Sequence, residues 1–191
     1  AYEIRNCDWS SDVCSSDLKD EPMEFNRCRV ISVAGGYLDA PADLVVLTSG
    51  ILTEEALRAV PALHAAGVRT THLHVSTIKP FTDPAIRRAL FSARKAVITM
   101  ENHLTVGGLG SAVAETMAEH GLAAPLHRIG LPDSYAHGAS QAHLLREYGL
   151  DAMSLVETAE RALGRNLGIT AENLAPVRTA AVHSSAKAEA L

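Results

Sequence analysis

The sequence predicts an α/β fold, a three-layer domain in which a mostly parallel sheet of about five strands is flanked by helices. Short apolar runs with β-branched residues alternate with longer segments of helical periodicity, and the connections are short, as in βα units. Aromatic residues make up only 4% of the chain, so alanine, valine and leucine must build the core, which suits helices packed closely on a parallel sheet.

In the first half of the chain the predicted order is strand 29–33, strand 44–48, helix 54–66, strand 70–76 and helix 83–93. The second strand is a continuous apolar run, as expected for a strand covered on both faces. Thr53 is the predicted N-cap of the first helix and Gly67 its end, while Pro61 predicts a kink or a late helix start. Asp83 followed by Pro84 is a strong start signal for the second helix.

In the second half the predicted order is strand 96–100, helix 111–119, strand 126–130, helix 140–148, a helix ending at Gly164 and a short helix near 170–174. Gly121 and Gly149 are expected to end the two helices that precede them. Ser154 and Glu157 have the spacing of a capping box that opens the last long helix. Right-handed crossovers then bring the carboxyl ends of the parallel strands to one edge of the sheet.

Composition divides the chain into four parts: residues 1–18, a transition with one possible strand over 19–42, the α/β domain over 43–164, and a tail over 165–191 that we expect to be mostly disordered. The run from Asp8 to Leu18 is crowded with serine and aspartate and has no period. It resembles a translated sequencing-library adapter, so we expect residues 1–18 to be artefactual or disordered and the natural upstream sequence to be missing.

Charge and composition exclude several classes of function. The net charge of -5 leaves no broad basic surface, so we expect no nucleic-acid partner. No apolar run approaches the ~18 residues that span a bilayer and no secretory signal is visible, so we expect no membrane partner and a cytoplasmic location. Cys7, Cys14 and Cys28 are an odd number without CxxC spacing, which argues against a disulfide framework or a zinc site.

Polar residues follow the predicted strands at the carboxyl edge, where α/β sheets meet ligands and partners. They are Ser49, Gly50, Lys79, Pro80, Glu101, Asn102, His103 and Asp133. Although they are scattered in sequence, we expect them to converge in space. No nucleophile elbow and no Ser/His/Asp arrangement is visible, so the sequence assigns no catalytic residue.

The glycine-rich run before the third helix has two interpretations. Backbone N–H groups and the positive end of a helix could hold a phosphate there. However, the run has neither the G-x-G-x-x-G spacing nor the lysine of a P-loop. We therefore favour a structural role, in which Gly107, Gly108 and Gly110 let the backbone turn and approach a neighbouring element.

Two histidine arrangements also have alternative interpretations. Glu101 and His103 in a turn could form an acid and base pair, but we favour a carboxylate that fixes a histidine at an interface. His72 and His74 share one face of a strand, as two metal ligands could. Because no third ligand is evident, a packed or partly exposed pair is favoured and no metal site is assigned.

Several of these motifs occur together in one order and spacing. They are Thr77-Ile78-Lys79-Pro80-Phe81-Thr82-Asp83, Glu101-Asn102-His103, Gly107-Gly108-Leu109-Gly110-Ser111-Ala112-Val113-Ala114-Glu115, Asp133 and Tyr148-Gly149-Leu150-Asp151. The set resembles the C-terminal domain of the transketolase family, particularly the separate C-terminal subunit of two-part bacterial transketolases. The resemblance covers about residues 43–163.

The resemblance implies a thiamine-diphosphate enzyme that transfers a two-carbon ketol unit between sugar phosphates with a divalent metal, Mg²⁺. In this family one domain holds the diphosphate and metal, a second supplies the activating glutamate, and the third packs against the second and builds the dimer. Neither the Gly-Asp-Gly motif nor a candidate activating glutamate is present here, so we expect this fragment alone to bind no cofactor and to be inactive.

The same resemblance implies partners. Lys79, Glu101, His103 and Asp133 would face the upstream catalytic modules or a dimer partner, in an intact homodimer or heterotetramer. A domain cut free from such neighbours exposes apolar surface, so we expect self-association or poor solubility.

Two alternatives remain open. The same domain occurs in 1-deoxyxylulose-5-phosphate synthase and in the beta subunits of 2-oxo acid dehydrogenases, although His103 in this motif favours transketolase. A different class is a free-standing nucleotide-binding Rossmann-like module that uses the glycine loop.

Overall fold

The computed structural model describes residues 24–135 and 138–176, which form a five-stranded sheet with helices on both faces. The strands are β1 (Arg29–Ser32), β2 (Ala42–Thr48), β3 (Thr70–His74), β4 (Ala93–Leu104) and β5 (Leu126–Leu131), in the spatial order β1-β3-β2-β4-β5. β1 runs antiparallel to β3, and the other four strands are parallel to one another. The predicted mostly parallel α/β sheet is therefore confirmed.

Helices cover the sheet on two sides and make two apolar cores. They are α1 (Leu52–Ala65), α2 (Pro84–Ser92), α3 (Leu109–Glu119), α4 (Gln141–Glu147) and α5 (Ala152–Leu163), with two short 3₁₀ turns at Ala34–Gly36 and Ala171–Asn173. In β2, Leu44 and Val46 pack with α1 and α5, while Val45 and Leu47 pack with α2 and α3. This alternation on a strand buried on both faces explains its continuous apolar run.

Some predicted helix boundaries are confirmed. The Asp83 carboxylate accepts a hydrogen bond from the Ala85 N–H and Pro84 is the first residue of α2. Gly164 follows α5 with a φ of 66°, the left-handed conformation that glycine adopts readily. None of the described helices combines the length and the apolar character that a membrane crossing needs.

Two predicted caps are wrong. α1 begins before Thr53, which is buried inside its first turn, and runs through Pro61, so the helix does not start late. α5 is capped by Asp151, whose carboxylate accepts from the Ser154 N–H, so Ser154 is not the first residue of a capping box. In both cases a neighbouring residue takes the cap position because the helix starts before the residue with the cap signal.

The segments that flank the predicted domain also contribute structure. β1, in the predicted transition, forms one edge of the sheet. In the described part of the tail, residues 165–176, three apolar side chains pack against the core under α1 and α5: Leu167, Ile169 and Leu174. Arg58 and Ala175 exchange two hydrogen bonds that hold this segment to α1.

Residues 1–18, with Cys7 and Cys14, lie outside the described residues, so the adapter hypothesis stays a prediction. Cys28 is half-buried beside β1. Burial and the nearby Asp83 carboxyl raise the pKa of its thiol to about 12, so it stays protonated.

Candidate functional site at the carboxyl edge

Strand β4 continues beyond its predicted end at residue 100 and carries the candidate residues with it. It pairs with β2 as far as Met100 and meets β5 again at the Leu104 and Leu131 pair, after a shift in register. The motif Glu101-Asn102-His103 therefore lies in the protruding end of a strand and not in a turn. The prediction of a turn was wrong because polar residues ended the apolar run before the backbone pairing ended.

Glu101 is fully buried at this edge and binds the start of α3. One carboxylate oxygen accepts from the Leu109 N–H at 2.6 Å, and the other accepts from the Gly110 N–H at 2.8 Å. These are the first two amides of the helix, where the helix dipole favours negative charge. The chain's own carboxylate thus occupies the position at which the glycine loop could have held a phosphate.

The three glycines of the loop are needed for this contact. Gly107 has a φ of +78°, which a residue with a side chain adopts only with strain. A Cβ at Gly108 would collide with the Glu101 carboxylate, and one at Gly110 would lie 2.6 Å from Cδ of Arg128. The absence of side chains lets the loop close over the buried acid.

His103 is exposed, and its Nδ1 lies 3.1 Å from the backbone oxygen of Leu104. Because both oxygens of Glu101 bind α3, the carboxylate neither forms an acid and base pair with His103 nor fixes its ring. The direct Glu101–His103 contact that both sequence interpretations assumed is therefore not present in the described residues, and a place for His103 at an interface stays a prediction.

The structure places Lys79 and Asp133 at the same edge, each exposed in the loop after a parallel strand. Lys79 lies between β3 and α2, and Asp133 follows β5. In the described residues no hydrogen bond or ion pair within 4 Å joins them to each other or to His103. The edge therefore presents separate charges on a surface, without a closed catalytic constellation.

A buried polar chain lies beneath the edge and joins β2, β3 and α1. The Nε2 atom of His72 and the hydroxyl of Thr48 are 2.9 Å apart, and that hydroxyl is 2.9 Å from the hydroxyl of Thr53. The Thr53 hydroxyl lies 2.8 Å from Nδ1 of His74. The sequence indicated the two histidines as a pair but not the two threonines, whose spacing of five residues crosses the strand-to-helix turn.

Burial determines the charge state of both imidazoles. It lowers the pKa of His72 to about 3, with a smaller effect from the neighbouring His74. It lowers the pKa of His74 to about 4, with a smaller effect from Arg29. Both rings are therefore neutral at pH 7 and are bound to hydroxyls. Within residues 24–135 and 138–176, no group of three or more His, Cys, Asp or Glu side chains has a metal-binding arrangement.

Comparison with known proteins identifies relatives of this domain. The profile of the family described as "Transketolase, C-terminal domain" matches residues 37–155. The 6-deoxy-6-sulfo-D-fructose transketolase subunit SqwH of Clostridium sp. (strain MSTE9) is 36% identical over 123 residues, 64% of this chain and 38% of that protein. The 1-deoxy-D-xylulose-5-phosphate synthase of Pseudomonas aeruginosa (strain LESB58) is 34% identical over 145 residues, 76% of this chain and 21% of that protein.

A solved structure has the same fold. It is described as a split gene transketolase, inactive beta4 tetramer, and it superposes with a TM-score of 0.64 at 30% sequence identity, covering 76% of this chain and 44% of that one. The chain thus spans between about a fifth and somewhat less than half of the length of these relatives.

Proposed function

The chain belongs to the transketolase C-terminal domain family, and from this premise we propose that it is part of a thiamine-diphosphate-dependent transketolase. Such an enzyme transfers a two-carbon ketol unit between sugar phosphates. In this proposal the domain serves assembly with the pyrimidine-binding domain and the dimer, and the chemistry belongs to the upstream modules.

The observation that supports the assembly role is the burial of the Glu101 carboxylate. Its carboxylate is fully buried and bound to two backbone amides, so it is not available to a substrate. The remaining charged residues of the edge, Lys79, His103 and Asp133, are exposed on a surface. Exposed charges around a rigid edge suit recognition of another protein surface better than transition-state stabilisation, which needs groups that converge on one reacting atom.

The residues that the structure describes do not fit the family's cofactors. A diphosphate would need the free amides at the start of α3, and Glu101 binds two of them. A divalent metal would need a cluster of oxygen or nitrogen ligands, which the described residues do not form. Thiamine diphosphate and Mg²⁺ are therefore assigned to the intact enzyme, and the fragment alone is expected to be inactive.

The relatives support a multi-subunit enzyme. One is named as a transketolase subunit, and the solved structure is described as a split gene transketolase in a tetramer. For this chain we propose the same kind of assembly, a homodimer or heterotetramer in which the carboxyl edge faces the upstream modules or the dimer partner.

A chimera tests the proposal. Residues 24–176 replace the corresponding domain of a split gene transketolase, which is co-expressed with its partner subunit. Co-purification reports assembly, and ketol transfer with thiamine diphosphate and Mg²⁺ reports activity. We expect an active complex, in which Lys79→Ala and His103→Ala weaken assembly but leave the pH optimum and the turnover of the assembled fraction unchanged.

The exposed His120 at the end of α3 provides the matched control, since His120→Ala removes an imidazole away from the edge. Unchanged assembly together with an altered pH optimum in His103→Ala would assign chemistry to the edge instead. A chimera that assembles but stays inactive with every ketol donor would contradict the transketolase assignment.

One alternative rests on a specific observation, the 145-residue match to 1-deoxy-D-xylulose-5-phosphate synthase. The same domain exchange in that synthase tests it, because only the correct host should recover full assembly. A 2-oxo acid dehydrogenase beta subunit is tested in the same way. Titration with nicotinamide and adenine nucleotides tests the nucleotide-binding alternative, which Glu101 disfavours by binding the amides at the start of α3.

A further inference from the structure

The strand β5 lies at the edge of the sheet and has a neighbour on one side only among the described residues. Its residues 126–129 pair with residues 97–100 of β4 in regular register. The opposite edge differs, because β1 has only four residues and a register shift after Val30. Short edge strands are poor templates for pairing. β5 is the longer edge, with six residues, of which four pair with β4 in unbroken register before the shift that follows Ile129.

The hydrogen bonds to β4 show which backbone groups of β5 face outward. The carbonyl of Pro125 accepts from the Val97 N–H at 2.9 Å, and the carbonyl of Leu131 accepts from the Thr105 N–H at 3.0 Å. Alternate residues of a strand direct their backbone groups to the same side. The N–H and C=O groups of Leu126, Arg128 and Gly130 therefore point away from β4, along the open edge.

The open edge forms one side of a groove, whose other side is lined by Tyr148, Ser154, Glu157, Thr158 and Arg161. Groups of both signs lie in it. Arg128 and Glu157 are exposed, and Arg161 lies one turn after Glu157 on α5. A surface in which a base on the edge strand lies beside an acid and a base on the adjacent helix can be complementary to itself.

We propose that β5 of a second copy of this chain pairs antiparallel with this edge, which makes one continuous sheet across a twofold axis. Pairing centred on Ile129 bonds Arg128 of each copy to Gly130 of the other and keeps the two Arg128 charges from facing each other. The axis also makes the two α5 helices antiparallel, so that Glu157 of one copy approaches Arg161 of the other. A twofold interface uses the same patch on both subunits, as this one does.

Proline at position 128 tests the backbone part of this interface. Arg128→Pro removes the outward N–H but no hydrogen bond to β4, and proline is tolerated on edge strands in this orientation. Arg128→Ala is the matched control, because it loses the same side chain, including its bond to the Thr105 carbonyl, but keeps the N–H. Sedimentation velocity of the full chain over a wide concentration range gives the dimer dissociation constant for each variant.

We expect the parent chain to dimerise. The dimer dissociation constant of Arg128→Pro should be at least about tenfold higher than that of Arg128→Ala, because each of the two copies loses one hydrogen bond across the twofold axis. A parent that stays monomeric, or equal dissociation constants for the two variants, would overturn the proposal. Circular dichroism confirms that each variant is folded.

Charge reversal on α5 tests the same interface without touching the strand. Glu157→Arg should weaken the dimer by placing like charges together, and the double variant Glu157→Arg with Arg161→Glu should restore it. Loss without restoration would show that these helices do not face each other across a twofold axis. The result is independent of the enzymatic proposal, because it concerns β5 and not the carboxyl edge.

Discussion

Buried polar side chains near the carboxyl edge are stabilised in two ways. The carboxylate of Glu101 accepts two backbone hydrogen bonds at the positive end of α3. The imidazoles of His72 and His74 instead bind the hydroxyls of Thr48 and Thr53 and stay neutral, since burial lowers the pKa of each. A buried group that is neutral when folded but titrates when unfolded makes stability depend on pH.

We predict that the chain loses stability as the pH falls below about 6.5, the ordinary pKa of histidine. Below that value the unfolded chain binds protons at positions 72 and 74, whereas the folded chain resists until the pH approaches about 4 for His74 and about 3 for His72. The full contribution is therefore present above pH 6.5. By pH 5 each histidine should cost about 2 kcal/mol of unfolding free energy.

Urea unfolding at a series of pH values between 7.5 and 5 measures this loss. His74→Gln keeps a group that can bind Thr53 but removes one titrating ring, so its unfolding free energy should fall less steeply with pH even if it starts lower. Parallel curves for the parent and this variant would show that His74 does not carry the dependence.

At the scale of elements, the connection from β4 to α3 is fixed by backbone approach to a buried acid. The loop needs Gly107 for its positive φ and Gly108 for space beside Glu101. Substitution of each glycine by alanine separates these requirements, since the space around Gly107 is open.

We predict that Gly107→Ala costs about 1 kcal/mol, the strain of the left-handed conformation. Gly108→Ala should cost more than about 2 kcal/mol, because the added Cβ displaces the Glu101 carboxylate and leaves buried amides unpaired. The urea midpoints of the two variants give the comparison. Equal losses would mean that Glu101 moves aside freely and that its bonds to α3 contribute little.

Sequence patterns predicted the order and type of these elements but placed some boundaries wrongly. Apolar periodicity located the core of β4, but the polar end of that strand is held by pairing near Leu131, which local sequence cannot show. Thr53 has the chemistry of an N-cap, yet its hydroxyl serves the buried histidines. Contacts between distant parts of the chain therefore determined the end of β4 and the role of Thr53, which local propensity does not predict.

For the whole molecule, the two cores differ in how they are closed. Outside the helices and strands, the core under α2 and α3 receives apolar side chains from several separate loops, such as Leu38 and Phe81, whereas the core under α1 and α5 receives three from one segment, residues 165–176. The sequence of this segment has no periodicity, so its packing could not be predicted. Two hydrogen bonds between Arg58 and Ala175 fix the end of this segment to α1. We call residues 165–176 the strap.

We predict that a chain ending at Gly164 is less stable by about 2 kcal/mol than a chain ending at Pro176, because it loses the apolar contacts of three side chains and the Arg58 bonds. Both truncations remove residues 177–191, so their comparison isolates the strap. Thermal unfolding of the two chains provides the measurement, and identical midpoints would show that the strap contributes nothing.

The reversed direction of β1 also matters for the way this domain is joined to others. Because β1 is antiparallel, the chain reaches it from the carboxyl edge, where the Asn26 N–H binds the Thr77 hydroxyl and the Cys28 N–H binds Asp83. Any polypeptide joined ahead of Glu24 therefore starts near the loop between β3 and α2, to which Asn26 is bonded. A short connection from this point to a neighbouring domain would give that domain a high effective concentration at the carboxyl edge and would strengthen even a weak contact there.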